Sequence, residues 1–171
     1  MSQPFPSRDF ADVLAANEDF AREFHDSQLT GRALRGLAIV TCMDSRITPL
    51  AAMGMSVGDC KILRNAGARV TQDVLRTLVL ATYLLGVDRV LVMPHTDCRM
   101  ASVDESEIHA TIASEFGVDT RSLEFQTARD QREALALDVT RIRSFPLIPS
   151  SVVVAGAIYD VRTGRLDPVA C

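Results

Sequence analysis

The sequence has 171 residues, 47% of them hydrophobic and 23% charged, the size and composition of one domain able to bury a core rather than of a disordered chain. Its net charge of −4, without a basic cluster, argues against nucleic acid or an anionic membrane as a partner. No apolar run reaches the roughly 20 residues a membrane span needs. The opening Met1-Ser2-Gln3-Pro4-Phe5-Pro6 also lacks the charged and apolar regions of a secretion signal. Four cysteines, two of them in ligand-like motifs, point to metal chemistry in a reducing compartment rather than to a disulfide framework, so a cytoplasmic protein is expected.

In chain order, Phe10, Val13, Leu14, Phe20 and Phe24 fall near helical spacing behind Asp9 as a cap, which predicts an amphipathic helix over about 9–25. After Gly36 the apolar run Leu37-Ala38-Ile39-Val40 reads as a buried strand that delivers Thr41 and Cys42. Thr48-Pro49 opens a short helix, with proline at its first position, and Gly54 ends it. Residues 60–64 form a second strand, and Asn65-Ala66-Gly67-Ala68 is its turn. Thr71 caps a nearly all-apolar helix from Val74 to Leu85, closed by Gly86. A helix that is apolar on most sides must be buried on most sides. Val90-Leu91-Val92-Met93 is the third strand and ends at Pro94-His95. Asp104 caps a helix with Ile108, Ile112 and Phe116 on one face, ended by Gly117. Another helix runs from about Thr127 to Ile142, stopping ahead of Pro146. The last strand, Val152 to Tyr159, leads through a turn at Thr163-Gly164 into a short closing segment. Strands alternating with helices imply an α/β fold: a single domain over residues 1–171, with a mostly parallel central sheet flanked by helices.

Two short stretches directly follow strands, Cys42-Met43-Asp44-Ser45-Arg46 and His95-Thr96-Asp97-Cys98. Open α/β sheets bind ligands just outside the carboxyl ends of their strands. If the first and third strands are neighbours, Cys42, His95 and Cys98 therefore meet at one point. Two thiolates and an imidazole suit zinc better than magnesium or calcium, which prefer oxygen. Three such donors are one short of a closed tetrahedral shell, the stoichiometry of a catalytic site with an open position. Asp44 and Arg46 stand just past the first thiol, where they read either as an ordinary loop ion pair or as groups acting on that position.

Taken alone, these residues are compatible with three accounts. One is the open catalytic centre. Another is a structural zinc, with Asp44 or an outside residue as fourth ligand. The third is a metal-free core of two buried cysteines and a satisfied histidine. Cys60 reads as a small buried hydrophobe, Cys171 as a frayed terminus, and His25 and His109 as surface residues on helices. Arg64 and the turn after it read equally as pocket lining and as solvated loop.

The two motifs resemble those of the β-class carbonic anhydrases. C-x-D-x-R after the first strand and H-x-x-C about fifty residues later both occur here, in that order and with five positions in register. The likeness runs from the N-terminal helix to the last strand. It implies one Zn2+ ion per chain, held by Cys42, His95 and Cys98, and reversible hydration of carbon dioxide to bicarbonate and a proton by zinc-bound hydroxide. Asp44 then orients the nucleophile, while Arg46 keeps Asp44 ionised and off the metal. In some members the aspartate swings in, so Asp44 is also a possible fourth ligand in a closed state. The likeness further implies a homodimer or higher homo-oligomer in which the N-terminal helix packs on the neighbouring copy. Proteins with the same motifs hydrolyse carbonyl sulfide or carbon disulfide, which is the enzymatic alternative; a non-catalytic zinc-stabilised binding module is the other.

Two departures stand out. Many members carry glycine where this chain has Arg99, directly after the second cysteine, so a left-handed backbone there would carry a strain of roughly 1 kcal/mol. The substitution also puts a positive charge near the metal. With no tryptophan in the chain, the tryptophan-containing bicarbonate regulatory pocket of some members cannot be built the same way.

Overall fold

The computed structural model describes residues 4–171. The chain divides into an N-terminal unit ending at Thr30 and a second unit, Gly31–Cys171. In the first, helix α1 (Ala11–Arg22) is followed by a 3-10 turn at Asp26–Gln28. The helix begins one residue later than the Asp9 cap predicts: Phe10 occupies the N-cap position, without a side-chain cap bond. None of its residues is buried, and Phe10, Val13, Leu14 and Phe20 remain 42–62% exposed.

The second unit carries, in order, β1 (Leu37–Cys42), α2 (Pro49–Ala52), β2 (Cys60–Asn65), α3 (Gln72–Leu84), β3 (Arg89–Met93), α4 (Arg99–Ser102), α5 (Glu105–Phe116), α6 (Gln131–Arg143), β4 (Val153–Tyr159) and β5 (Leu166–Val169). These strands form one sheet in the order β2-β1-β3-β4-β5. All neighbours are parallel except β5, which runs antiparallel to β4 on the edge and carries Pro168, where a missing N–H is tolerated. The parallel α/β expectation holds.

β1 lies second in that order and all six of its residues are buried. Side chains alternate across a strand. Ala38 and Val40 join one core cluster, with Leu75 and Leu78 of α3 and Leu135, Val139 and Ile142 of α6. Leu37 and Ile39 join the other, with Ile47, Met93, Cys42 and Cys98. Cover on both faces is why the strand reads as an unbroken apolar run instead of an alternating one. The β1–β3 register sets Leu37 opposite Arg89 and Thr41 opposite Met93. The buried hydroxyl of Thr41 donates to the Met93 carbonyl at 2.8 Å, tying the two strand ends together. Past β3 the pairing continues to β4: the Thr96 N–H donates to Tyr159 O at 2.9 Å, and the Tyr159 N–H to Pro94 O at 2.8 Å.

Caps set the helix limits. The Thr71 hydroxyl accepts from the Val74 amide, as its position predicts. Asp130 Oδ1 accepts from the amides of Arg132 and Glu133, both at 3.0 Å, so α6 starts at Gln131 and not at Thr127. Ala128 is kept out of the helix because its N–H donates to Met100 O at 2.7 Å. Asp104 precedes α5 but caps nothing, its carboxylate being engaged by Arg129 at 3.0 Å. Phe116, placed on one face with Ile108 and Ile112, is 71% exposed. Among the described residues no helix is long and apolar enough to cross a membrane.

Helix α6 crosses the sheet at Gly156 of β4, where an added Cβ would stand 2.9 Å from Leu135 Cγ. Leu135 is 2% exposed and has nowhere to move. Gly156→Ala is expected to destabilise the fold by about 1–3 kcal/mol through overpacking, measured as a lowered urea midpoint with unchanged slope.

Candidate metal centre

The sheet brings the three predicted donors together. Cys42 ends β1, His95 lies two residues past β3, and Cys98 is the residue before α4. Their ligand atoms all lie within 4.8 Å of one another, and the residues are 5%, 1% and 7% exposed. His95 Nδ1 is 2.8 Å from Thr96 O, a contact that requires the proton on Nδ1 and leaves the Nε2 lone pair pointing inward. Nε2 is fully buried and has no hydrogen-bond partner among the described residues. A buried acceptor left unpaired costs about 1–3 kcal/mol, so this nitrogen fits a cation's ligand better than a core histidine. Gln131 of α6 holds the same residue from behind, its Nε2 donating to His95 O at 2.7 Å.

The thiols are electronically paired as well. Cys42 is drawn well below the ordinary thiol range, first by the Cys98 thiol and then, against burial, by the His95 imidazole. Cys98 is pushed up, first by the Cys42 sulfur and then by burial. A cation between the two sulfurs relieves that competition, because it takes both as thiolates. The donor set and the orphaned nitrogen thus fit a thiophilic divalent ion with one coordination position left over.

Beside this position lies a charged chain. Asp44 Oδ2 is 3.7 Å from His95 Nε2. Arg46 grips the Asp44 carboxylate in a fork, Nε to Oδ1 at 2.9 Å and Nη2 to Oδ2 at 2.7 Å, while its own amide donates to Oδ1 at 2.9 Å. Its far edge binds Asp97, with Nη1 to Oδ2 at 2.8 Å and Nη2 to the Asp97 carbonyl at 3.1 Å. The Arg46 side chain is the main reason that Asp44 sits well below the usual carboxylate range, its amide adding to this against burial. A carboxyl held low in the folded state stabilises above its unfolded value and loses that contribution only as pH falls through the folded one. Asp44 therefore stays ionised throughout the neutral and mildly acid range.

Sequence reasoning passed over Asp97 and left Arg64 undecided. Asp97 adopts a left-handed backbone, φ 57°, which aspartate tolerates better than most residues. That is where the positive φ of this turn falls. Arg99 instead opens α4 with ordinary φ, so the strain expected there does not arise. Arg64 clamps the loop after β1: Nε donates to Cys42 O at 2.9 Å, Nη2 to Asp44 O at 2.5 Å and Nη1 to Ile47 O at 3.2 Å. The signal was its place at the carboxyl end of β2, opposite Thr41. In the next turn Gly67 adopts φ 78°, and a Cβ there would press within 3.1 Å of Met100. The remaining candidates stay outside. Cys60 is half-buried in β2, and Cys171 and His25 are exposed. His109 is half-buried, not a surface residue: its Nδ1 meets Thr120 Oγ1 at 2.8 Å and its ring packs on Phe125.

The centre opens into a cavity of about 520 Å³ whose apolar wall is Met43, Ala66, Met100, Ile108, Ile112 and Phe125. Glu105 fixes the Phe125 segment, accepting from the amides of Phe125 at 2.7 Å and Gln126 at 3.1 Å.

Residues 37–166, which span both motifs and strands β1 to β4, match the family model described as carbonic anhydrase. The chain belongs to the β-carbonic anhydrase family. The β-carbonic anhydrase 1 of Mycobacterium tuberculosis is 33% identical over 159 residues, covering 92% of this chain and 96% of its own length. The crystal structure of a carbonic anhydrase from Streptococcus mutans superposes with a TM-score of 0.88 at 35% identity, across 99% of this chain and 100% of that one. A carbon disulfide hydrolase from Saccharolobus solfataricus is 31% identical and covers 77% of this chain and 76% of its own.

In this β-carbonic anhydrase, elemental analysis is expected to find one metal ion per chain. Cys42→Ser or Cys98→Ser should lose it, whereas Cys171→Ser should keep it. Arg64→Ala, which frees the carbonyl of a ligand residue, should weaken the metal about 10- to 100-fold in a chelator competition.

Proposed function

We propose that the protein is a zinc lyase that interconverts carbon dioxide with bicarbonate and a proton. The observation that carries this reading is the buried Nε2 of His95, without a hydrogen-bond partner among the described residues and within 4.8 Å of two cysteine sulfurs at the lining of an apolar cavity. Cys42, His95 and Cys98 would hold one zinc ion per chain. When bound, zinc supplies the Lewis acidity that makes water a nucleophile at physiological pH. No further His or Cys belongs to the cluster among the described residues, which favours an open catalytic shell over a closed structural one.

The chain's own groups then divide the work. Met43, Ile108, Ile112 and Phe125 offer carbon dioxide, an apolar molecule without a leaving group, a surface of matching polarity. The ionised Asp44 carboxylate accepts a hydrogen bond from the attacking water and aims its lone pair. Arg46, itself braced by Asp97, holds Asp44 ionised and off the metal. A closed state, in which Asp44 leaves the fork and becomes the fourth ligand, is part of the same proposal. Two thiolates that are to remain reduced fit a cytoplasmic setting.

We also propose a homodimer or larger assembly of a single catalytic domain, with α1 covered by a second copy. The unburied Phe10 at the N-cap and Val13, Leu14 and Phe20 of α1, together with Leu80, Tyr83 and Leu84 of α3, support it. Light scattering at micromolar concentration should then find no lone 18.7 kDa species.

Stopped-flow hydration of carbon dioxide, with and without chelator, tests the activity. Parallel assays with carbonyl sulfide and carbon disulfide test the alternative that the kinship with carbon disulfide hydrolases raises. Two thiolates and Asp44 disfavour a further anion at the site, so the rate is expected to climb with pH and reach its plateau above about pH 8. Asp44→Asn should cost about 10²-fold or more, and Arg46→Ala should also lower the rate, by releasing Asp44 toward the metal. A profile flat from pH 6 to 9, with Arg46→Ala unimpaired, would overturn both the charge argument and the role given to Arg46.

A further inference from the structure

Apart from the three metal donors, only two of the residues bordering the cavity carry a full charge, Asp44 and Arg99. Asp44 is committed to Arg46, and the free edge of Arg46 to Asp97. Arg99 is different. It is exposed, and among the described residues its guanidinium makes no hydrogen bond or ion pair; only its backbone carbonyl is used, accepting from Ser102 Oγ at 3.0 Å. It follows Cys98 directly and opens α4, so its backbone is anchored one residue from a metal donor.

The charges gathered at this mouth are unequal without it. Of the groups that line the cavity, two thiolates cancel a divalent ion and Asp44 is left as the negative one, its partner Arg46 standing outside the lining and shared with Asp97. That residue of negative charge is indifferent to a neutral molecule and repels an anion. Arg99 supplies the missing positive charge on a planar fork suited to a carboxylate-like anion. The proposed reaction has one neutral and one anionic partner. The apolar wall serves carbon dioxide and leaves bicarbonate without a counter-charge. We infer that Arg99 is the anion-recognition residue of this site, drawing in and holding bicarbonate at the cavity mouth and admitting other small monovalent anions by the same charge. The inference rests on the carbon dioxide reading for its natural ligand, and on geometry and charge alone for its preference for anions.

The test uses the zinc-loaded protein and two probes. Thiocyanate, an anion that is not turned over, is titrated calorimetrically; bicarbonate dehydration and carbon dioxide hydration are followed by stopped flow. At low ionic strength Arg99→Gln is expected to weaken thiocyanate binding and raise the KM for bicarbonate by about three- to tenfold, the size of one lost charge contact at the protein surface. The effect on kcat/KM for carbon dioxide at alkaline pH should be clearly smaller. Arg99→Lys should restore most of the loss, Arg99→Glu should deepen it, and salt near 0.5 M should shrink the difference between variants. Thiocyanate affinity and bicarbonate KM both unchanged in Arg99→Gln and Arg99→Glu would overturn the inference while leaving the activity standing. A wild-type protein inert toward carbon dioxide would instead sink the substrate reading, and the thiocyanate titration would still decide the role of Arg99.

Discussion

The parallel pairing of β1 with β3, in the register that puts Thr41 opposite Met93, is the constraint from which the rest of the centre follows. The two strands finish level, locked by the Thr41 hydroxyl on the Met93 carbonyl. The residues just past their ends are thereby delivered to one point. A slip of one residue would turn the strand's side chains to the opposite face and separate Cys42 from His95. Burial on both faces makes such a slip costly, since Ile39 and Val40 each fill a different core layer. The register that stabilises the sheet is the register that assembles the donors.

Strand ends alone leave loops free to wander, and arginine does most of the restraining. Arg64 reaches three carbonyls at once, Arg46 bridges two carboxylates, and Arg69 pairs with the buried Asp138 at 2.8 Å. Lysine has no equivalent, because a planar fork of five donors can satisfy several acceptors from one side chain. Irregular backbone around a metal position exposes carbonyls that would otherwise need water. Arg64 removes that need at Cys42, Asp44 and Ile47, holding the loop in place.

The centre is also a study in unequal environments. Its floor is two sulfurs and an imidazole set in an apolar cluster with Ile39, Ile47 and Met93. One wall is apolar, and one rim carries paired charges. Among the described residues, Asp44 and Arg46 find charged partners inside the chain, and Arg99 at the cavity mouth does not.

Much of this was legible in the sequence. The period of the apolar runs, the helix-ending glycines and the threonine cap at 71 are local signals, and local backbone preference answers them. The two motifs named all three residues of the buried Cys-His-Cys cluster, because their residue types and spacing are chemistry that does not depend on the fold. Other features were decided only by packing. Asp9 and Asp104 look like caps, yet one stands outside its helix and the other is engaged by Arg129. Thr127 and Ala128 look helical, but a bond from Ala128 to Met100 holds the chain back until Asp130. His109 reads as a surface histidine and is packed against Phe125. Arg64, Asp97 and the unpaired state of Arg99 depend on partners 17 to 51 residues away or on the lack of them. Side-chain identity sets what a group can bind; which groups come within reach is set by strand order and register, and those emerge only when the chain closes on itself.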